Sequence, residues 1–127
     1  LDMDNFKFYN DTYGHEAGDL LISKFGELLK KVFRKVDFIS RFGGDEFVAF
    51  FRDKLDRKRI ESTFSKLEKE YCSFIEKNYP ESHSSVSIGC VTGTKKCTFE
   101  ELYRVTDELM YDIKKQGKKG YKIVELD

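Results

Sequence analysis

The chain has 127 residues, of which 39% are hydrophobic and 36% charged, and its basic and acidic residues are equal in number. This length and composition predict one globular domain with its own core. A net charge of zero gives no overall field that would favour nucleic acid or a membrane surface. No stretch approaches the roughly 20 apolar residues that a membrane span needs. We therefore expect a cytoplasmic domain that does not bind nucleic acid.

The three cysteines, Cys72, Cys90 and Cys97, are odd in number and have neither metal-binding nor redox spacing. Reduced thiols in the cytosol are the simplest interpretation. A zinc site with His83 as the fourth ligand is the alternative, but no C-x-x-C or H-x-x-x-H pair supports it.

Helical and extended patterns follow one another along the chain. Apolar residues recur at helical spacing and predict three amphipathic helices, over residues 17–36, about 56–78 and about 98–116. Turn signals and alternation predict a hairpin and two further strands, over residues 36–51, 84–92 and 121–126. The order helix, hairpin, helix, strand, helix, strand predicts an α+β domain, in which helices flank a central mixed or antiparallel sheet.

The tip of the predicted hairpin is the heptapeptide RFGGDEF, residues 41–47, in which Asp45 and Glu46 follow two glycines. With Asp2, these acids are candidate ligands, because Mg²⁺ and Mn²⁺ prefer carboxylate oxygens together with phosphate and water. Two such ions can bracket a phosphoryl group during in-line attack. A turn at Gly43 and Gly44 lets a triphosphate approach the backbone. On these residues alone, an ordinary hairpin turn is the alternative.

Several blocks of the chain resemble the GGDEF family, the bacterial diguanylate cyclases. RFGGDEF is similar to the signature, and DMDNFKFYNDTYGHEAGD resembles D-x-D-x-F-K-x-x-N-D-x-x-G-H-x-x-G-D at every fixed position. VSIG is similar to the late strand, and TDELMYDIKKQGKKGYKIV resembles the final helix and strand. The blocks span nearly the whole chain, and residues 52–82 are the variable part.

The resemblance implies a palm-like nucleotide cyclase fold and the condensation of two GTP molecules into cyclic di-GMP, with release of two pyrophosphates. Each domain would bind one GTP, and the 3′-hydroxyl of each nucleotide would attack the α-phosphate of the other. A homodimer is therefore implied, with two Mg²⁺ or Mn²⁺ ions in each half-site.

The family's functional positions carry over residue by residue. The implied metal ligands are Asp2, the Met3 carbonyl, Asp45 and Glu46, and the last two are also the catalytic residues. The implied substrate contacts are Asn10 and Asp19 on the guanine edge, and Lys7, Lys114 and Lys118 on the phosphates. Gly43 and Gly44 complete the nucleotide site. Arg34 and Asp37 match the family's R-x-x-D inhibitory motif, at which the product docks.

Structural alternatives accompany these assignments. Asp19 could simply favour the helix dipole, and Lys114 and Lys118 could belong to a solvated basic face. Arg34 and Asp37 could form an ordinary solvated pair. We expect Phe6 and Phe8 in the core rather than stacked on a base.

Two of the chain's departures from the family pattern bear on the site and on the domain boundary. Lys118 stands where an arginine is common, which keeps the charge but loses the bidentate fork. The family's opening helix and most of its first strand would precede Asp2, so we expect residues 1–127 to be a single, N-terminally truncated domain. We also expect an N-terminal sensory or regulatory domain in the full-length protein, which could be membrane-anchored through the missing segments.

Two other functions are alternatives. One is a catalytically silent module that binds GTP or cyclic di-GMP, although such modules usually lose the signature acids, which this chain keeps. The other is an unrelated palm-type nucleotidyl transferase, which would not need Asn10, Asp19 and the R-x-x-D motif together.

Overall fold

A computed structural model describes residues 1–93 and 96–126. In chain order the described residues form β1 (Asp2–Met3), α1 (Phe6–Tyr13), α2 (His15–Val32), β2 (Phe38–Gly43), β3 (Glu46–Phe50), α3 (Arg57–Asn78), β4 (Val86–Gly93), α4 (Phe99–Lys115) and β5 (Gly120–Leu126). A short 3₁₀ turn, Pro80–Ser82, follows α3.

The five strands form one sheet in the order β2-β3-β1-β4-β5. The β2-β3 hairpin and both neighbours of β1 are antiparallel, whereas β4 and β5 run parallel, so the sheet is mixed. The predicted α+β architecture is therefore confirmed. The first strand lies at the centre of the sheet, although it has only two residues. Its position brings Asp2 between β3 and β4.

The main core fills the space between one face of the sheet and helices α2 and α3. The Phe25 ring lies edge-on against the rings of Phe47 and Tyr71, with centroids 5.0 and 5.5 Å away. The apolar stripe of α3 is buried along its length, at Ile60, Phe64, Leu67, Tyr71 and Ile75. Burial of each such side chain stabilises the fold by roughly 1.5–3 kcal/mol, and this packing fixes the strands that carry the polar residues.

Helix α4 covers the opposite face of the sheet. It packs closely on β4 at Gly89, where a Cβ atom would meet the Thr106 carbonyl oxygen and the side chains of Leu109 and Met110. Residues 87, 89 and 91 of β4 alternate with the core residues Val86, Ile88 and Cys90, so they share the face toward α4.

Two sequence predictions differ from the structure at the amino end. Helix α1 was not predicted, although Phe6, Tyr9 and Tyr13 recur at helical spacing. Phe6 packs against the core, whereas Phe8 is 53% exposed. The prediction of a buried Phe8 was wrong because two positions along a helix rotate a side chain by about 200°.

Two structural facts bear on the expectations about a membrane span and about the cysteines. Within residues 1–93 and 96–126, no helix combines the length and the apolar character that crossing a bilayer requires. Cys72, Cys90 and Cys97 are free thiols, and burial raises the pKa of Cys90 to about 11.

A buried carboxylate, Asp4, ties the central strand to its surroundings. Asp4 is 1% exposed. Its Oδ1 accepts a hydrogen bond from the Ser87 hydroxyl at 2.7 Å, and its Oδ2 accepts from the Ser85 hydroxyl at 2.6 Å and the Lys119 N–H at 3.1 Å. Its carbonyl accepts from the Ser84 hydroxyl at 2.8 Å. The second acid of the amino-terminal motif is therefore a structural residue.

We expect Asp4→Ala to lower the free energy of unfolding by about 2–4 kcal/mol, because it leaves donors without their acceptor and a buried unsatisfied donor costs about 1–3 kcal/mol. Urea unfolding followed by circular dichroism measures the change. Asp11→Ala is the matched control, since Asp11 is exposed on α1 and should change stability by less than about 0.5 kcal/mol. Equal stabilities of the two variants would contradict the structural role of Asp4.

Candidate functional site

Two acidic residues face each other where β1 reaches the tip of the β2-β3 hairpin, and a third lies next to one of them in the chain. Asp2 lies directly opposite Glu46 in the antiparallel pair of β1 and β3. Directly opposed residues of antiparallel strands point to the same face, with Cβ atoms about 5 Å apart. Asp45 precedes Glu46 in the turn, and its charge acts on Asp2. The structure thus places Asp2 opposite Glu46, with Asp45 as the preceding residue of the turn.

The turn that carries these acids is open around its glycines. Gly44 has a φ of 52°, in the left-handed region that glycine adopts without strain. A Cβ atom at Gly43 or Gly44 would meet nothing within 4 Å. A large group can therefore approach this backbone. Met3 directs its buried side chain into the core, so its backbone is the part available to the site.

Asp2 has one satisfied and one unsatisfied carboxylate oxygen. Its Oδ2 accepts a hydrogen bond from the Lys114 ammonium at 2.8 Å. Its Oδ1 is buried and has no hydrogen-bond partner in the part of the chain that the structure describes. Burial raises the pKa of Asp2, although the hydrogen bond from Lys114 opposes this shift. A bound cation would satisfy the remaining oxygen.

Glu46 is held by a residue that the sequence analysis did not identify. The Tyr103 hydroxyl, on α4, donates a hydrogen bond of 2.6 Å to Glu46 Oε1. This bond raises the pKa of Tyr103 to about 12, so the phenol remains a protonated donor at neutral pH. The only sequence signal for Tyr103 is its spacing from Lys114 on one face of the predicted helix.

The acids fit a divalent cation that also binds phosphate. In residues 1–93 and 96–126, no three acidic, histidine or cysteine side chains converge into a cage that could hold a metal by themselves. Mg²⁺ usually binds through one or two carboxylates and takes its remaining ligands from substrate phosphates and water. The unsatisfied Oδ1 of Asp2, opposite Glu46, suits this arrangement.

The predicted guanine-reading residues lie on α1 and α2. Asn10 rests its side-chain amide on Gly18, where a Cβ atom would collide with Asn10 Oδ1. That Oδ1 is buried and has no partner among the described residues. Asp19, next to Gly18, is exposed, as is Lys7 on α1. Asn10 Oδ1 therefore lies beside Gly18, the residue that directly precedes the exposed Asp19.

Gly18→Ala is expected to destabilise the protein by about 1–3 kcal/mol, because the new methyl group would force Asn10 out of its position. Gly26→Ala in the same helix is the matched control. A Cβ atom at Gly26 meets nothing within 4 Å, so this change should stabilise α2 by about 0.5–1 kcal/mol. Urea unfolding of both variants tests the opposite signs, and a stabilising Gly18→Ala would contradict the close approach.

The two lysines that the resemblance assigns to the phosphates each donate a hydrogen bond and do not form a free basic face. Lys114 contacts Asp2, and the Lys118 ammonium donates to Asn5 Oδ1 at 2.6 Å. Lys118 and Lys119 both adopt left-handed backbone, with φ of 64° and 59°. Such conformations cost of order 1 kcal/mol or more each. The hydrogen bond from the Lys119 N–H to Asp4 helps to hold this bend.

The R-x-x-D pair forms a brace at the open end of the hairpin. The Asp37 side chain is only 1% exposed, whereas that of Arg34 is 32% exposed. Asp37 accepts from Arg34 Nε at 3.2 Å and Nη2 at 2.8 Å, and from the backbone N–H groups of Arg34 and Arg52 at 3.0 and 3.1 Å. Arg34 Nη1 also reaches Asp53 Oδ2 at 3.3 Å. A solvated pair does not describe this geometry.

The brace has an electrostatic signature. Burial alone would raise the pKa of Asp37, but the hydrogen bonds from Arg34 and Arg52 outweigh it and lower this pKa. The pair is separated from the hairpin tip by the six residues of β2, which span roughly 20 Å at about 3.3 Å per residue. Arg34 and Asp37 are therefore separate from the acidic cluster.

We expect Arg34→Ala to lower the melting temperature more at about pH 7 than in acid. The lowered pKa of Asp37 means that its contribution to stability is present above the ordinary value of 3.8 and is lost as the pH falls through the lowered value. Without the Arg34 guanidinium the pKa of Asp37 rises again. The variant therefore loses stability at neutral pH and little of it in acid. Circular dichroism melts across this range measure it.

Arg57→Ala is the matched control, since the Arg57 pair with Glu61 is exposed and should contribute little at any pH. An Arg34→Ala loss that is the same at neutral and acid pH would show that the Asp37 ion pair is not its cause.

Comparisons with known proteins agree with this architecture. The family model described as "Diguanylate cyclase, GGDEF domain" matches residues 1–120. Diguanylate cyclase DgcS of Shewanella oneidensis is 32% identical over 128 residues, which cover 97% of this chain and 40% of that protein. Diguanylate cyclase DosC of Escherichia coli K12 is 30% identical over 121 residues, 93% of this chain and 26% of that protein. The chain thus spans less than half the length of either relative.

Among solved structures, the GGDEF domain of DgcB from Caulobacter crescentus, in complex with c-di-GMP, superposes with a TM-score of 0.76. The alignment covers 96% of this chain and 73% of that chain at 23% sequence identity. This likeness confirms the predicted fold.

Proposed function

Because the chain belongs to the GGDEF domain family, we propose that it is the catalytic domain of a diguanylate cyclase. It would condense two GTP molecules into cyclic di-GMP and two pyrophosphates. The observation that carries the proposal is the pair of opposed carboxylates, Asp2 and Glu46, beside an open Gly-Gly turn. One buried Asp2 oxygen has no hydrogen-bond partner among the described residues. The relatives named as diguanylate cyclases support it.

The acids would hold the triphosphate end of GTP. Asp2, Asp45, Glu46 and the Met3 carbonyl are the residues that would bind Mg²⁺ or Mn²⁺, with two ions in each half-site. When bound, such ions neutralise phosphate charge and stabilise the α-phosphate during attack by a hydroxyl. The ammonium groups of Lys114 and Lys118 would neutralise further phosphate charge, and Lys7, exposed on α1, would do the same. Gly43 and Gly44 would give the phosphates access to the backbone.

The base would be read by Asn10 and Asp19. Guanine offers an N1–H and an amino group to acceptor oxygens, and adenine has no N1–H. The Asp19 carboxylate and the unpaired Oδ1 of Asn10 supply acceptors of this kind. A site with such acceptors should reject adenine nucleotides, because a buried acceptor that loses its donor costs about 1–3 kcal/mol or more.

Catalysis would require two domains. One chain carries one set of acids and one candidate base site, whereas the product joins two nucleotides. A homodimer would place two half-sites face to face, and each 3′-hydroxyl would attack the other nucleotide's α-phosphate. In the full-length protein, an N-terminal sensory or regulatory domain would control this pairing, in keeping with relatives of which the chain covers only a part.

Product inhibition would act through Arg34 and Asp37. Asp37 and Asp53 hold the edge of the Arg34 guanidinium, and the side chain remains 32% exposed. A planar guanidinium can stack on a purine while keeping its ion pair. Cyclic di-GMP would therefore bind on a preformed brace. The DgcB domain that this chain resembles was solved in complex with c-di-GMP.

The second candidate function is a binding module that holds GTP or cyclic di-GMP without chemistry. Lys114 favours it in one respect, because in this structure the ammonium already neutralises Asp2. The retention of Asp2, Asp45 and Glu46 favours the enzyme. Product analysis separates the two functions.

The decisive experiment incubates the full-length protein with GTP and Mg²⁺ and identifies the products by mass spectrometry. We expect cyclic di-GMP from the wild type. Asp45→Asn should reduce its formation at least about a hundredfold, because a neutral amide is a poor Mg²⁺ ligand. Glu27→Gln, an exposed acid on α2, should leave the rate unchanged.

Two results would contradict the proposal in different ways. No dinucleotide from the wild type at any protein concentration would favour the binding module. Wild-type turnover by Asp45→Asn would leave the reaction but remove Asp45 from the metal site.

A further inference from the structure

Helix α4 touches both opposed carboxylates with side chains from one face. Tyr103 and Lys114 are three turns apart, at 3.6 residues per turn, so they project from the same side of the helix. Tyr103 donates to Glu46 Oε1 at 2.6 Å, and Lys114 donates to Asp2 Oδ2 at 2.8 Å. A single rigid element therefore fixes one oxygen of each acid.

The arrangement leaves one oxygen of each acid available. Asp2 Oδ1 is buried without a partner, and Glu46 Oε2 accepts no hydrogen bond from the residues that the structure describes. Since Asp2 and Glu46 lie directly opposite each other, the two available oxygens belong to neighbouring side chains on one face of the sheet. Two such oxygens supply two ligands of a cation site, which phosphate and water can complete.

The Tyr103 hydroxyl is itself held in place. Its ring packs against Phe42 and Phe99, with centroid distances of 5.2 and 5.9 Å. A phenol donates a hydrogen bond without carrying charge at neutral pH. A lysine at the same place would neutralise Glu46 and oppose a metal ion. The phenol orients the carboxylate and preserves its negative charge.

We propose that Tyr103 is a positioning residue, whose hydroxyl fixes Glu46 through Oε1 and so presents Oε2 to the divalent cation. Its effect on turnover rests on the proposed function. Its effect on cation binding does not, because the metal alone can be titrated onto the protein without GTP. Partners that orient metal-binding carboxylates typically change metal affinity or activity by 10–100-fold when removed.

The test is Tyr103→Phe, which removes the hydroxyl and keeps the ring packing against Phe42 and Phe99. Titration of the full-length protein with Mn²⁺, followed by electron paramagnetic resonance, should give a dissociation constant about tenfold higher than that of the wild type. With GTP, kcat should fall while KM for GTP changes little. Tyr111→Phe, on the same helix and 67% exposed, is the matched control and should change neither value.

A double variant separates a positioning role of Tyr103 from an effect on general stability. Glu46→Gln should weaken Mn²⁺ binding, and adding Tyr103→Phe to it should cause no further loss, because the hydroxyl acts through the carboxylate. Independent losses that multiply in the double variant would overturn the proposal. Unchanged Mn²⁺ affinity in Tyr103→Phe, or no Mn²⁺ binding by the wild type, would overturn it too.

The two levels of inference fail separately. If the wild type makes no dinucleotide but Tyr103→Phe weakens Mn²⁺ binding tenfold, Tyr103 positions Glu46 and the proposed enzyme activity is wrong. If the wild type makes cyclic di-GMP and Tyr103→Phe matches it in Mn²⁺ affinity and kcat, the activity stands and the positioning role is wrong.

Discussion

Asp2 and Glu46 lie opposite each other at the centre of the sheet, and burial of Asp2 disfavours its charged form, a cost that has to be offset. The structure offsets it from α4, with an ammonium on one carboxylate and a phenol on the other. Helix α4 must therefore lie close to the sheet, and Gly89 allows this because a Cβ atom there would collide with the helix. The close packing of α4 on the sheet thus lets its side chains reach both acids of the candidate site.

The central strand that carries Asp2 has only two residues, which is too short to be held by ladder hydrogen bonds alone. The buried carboxylate of Asp4 accepts additional hydrogen bonds from Ser87 on β4, from Ser85 directly before β4 and from the backbone N–H of Lys119. The bond from the Lys119 N–H also helps to hold the bend in which Lys118 reaches Asn5. Two acids two positions apart therefore have different tasks: Asp4 holds the backbone, while Asp2 keeps an oxygen available to a ligand.

Local patterns predicted much of the fold, since apolar spacing located α2, α3 and α4 and the two glycines located the hairpin. The parallel pairing of β4 and β5 was not predictable, because it depends on contacts between distant segments. The end of α2 at Val32 instead of Val36 reflects the bonds that Asp37 makes to Arg34. The family pattern located the acids, whereas Tyr103 was missed because its contact to Glu46 spans 57 residues.

Lysine and tyrosine suit different acids at this site for an electrostatic reason. Lys114 is the cation that neutralises Asp2 in this structure. Under the proposed function, a metal ion would take over that neutralisation, and the ammonium would become available to phosphate. Tyr103 carries no charge that a metal would oppose, so Glu46 could keep the same hydrogen bond before and after a ligand binds. Lys114 must thus release Asp2 when a ligand binds, whereas Tyr103 can keep its hydrogen bond to Glu46. The geometry of the site therefore stays fixed while its charge changes.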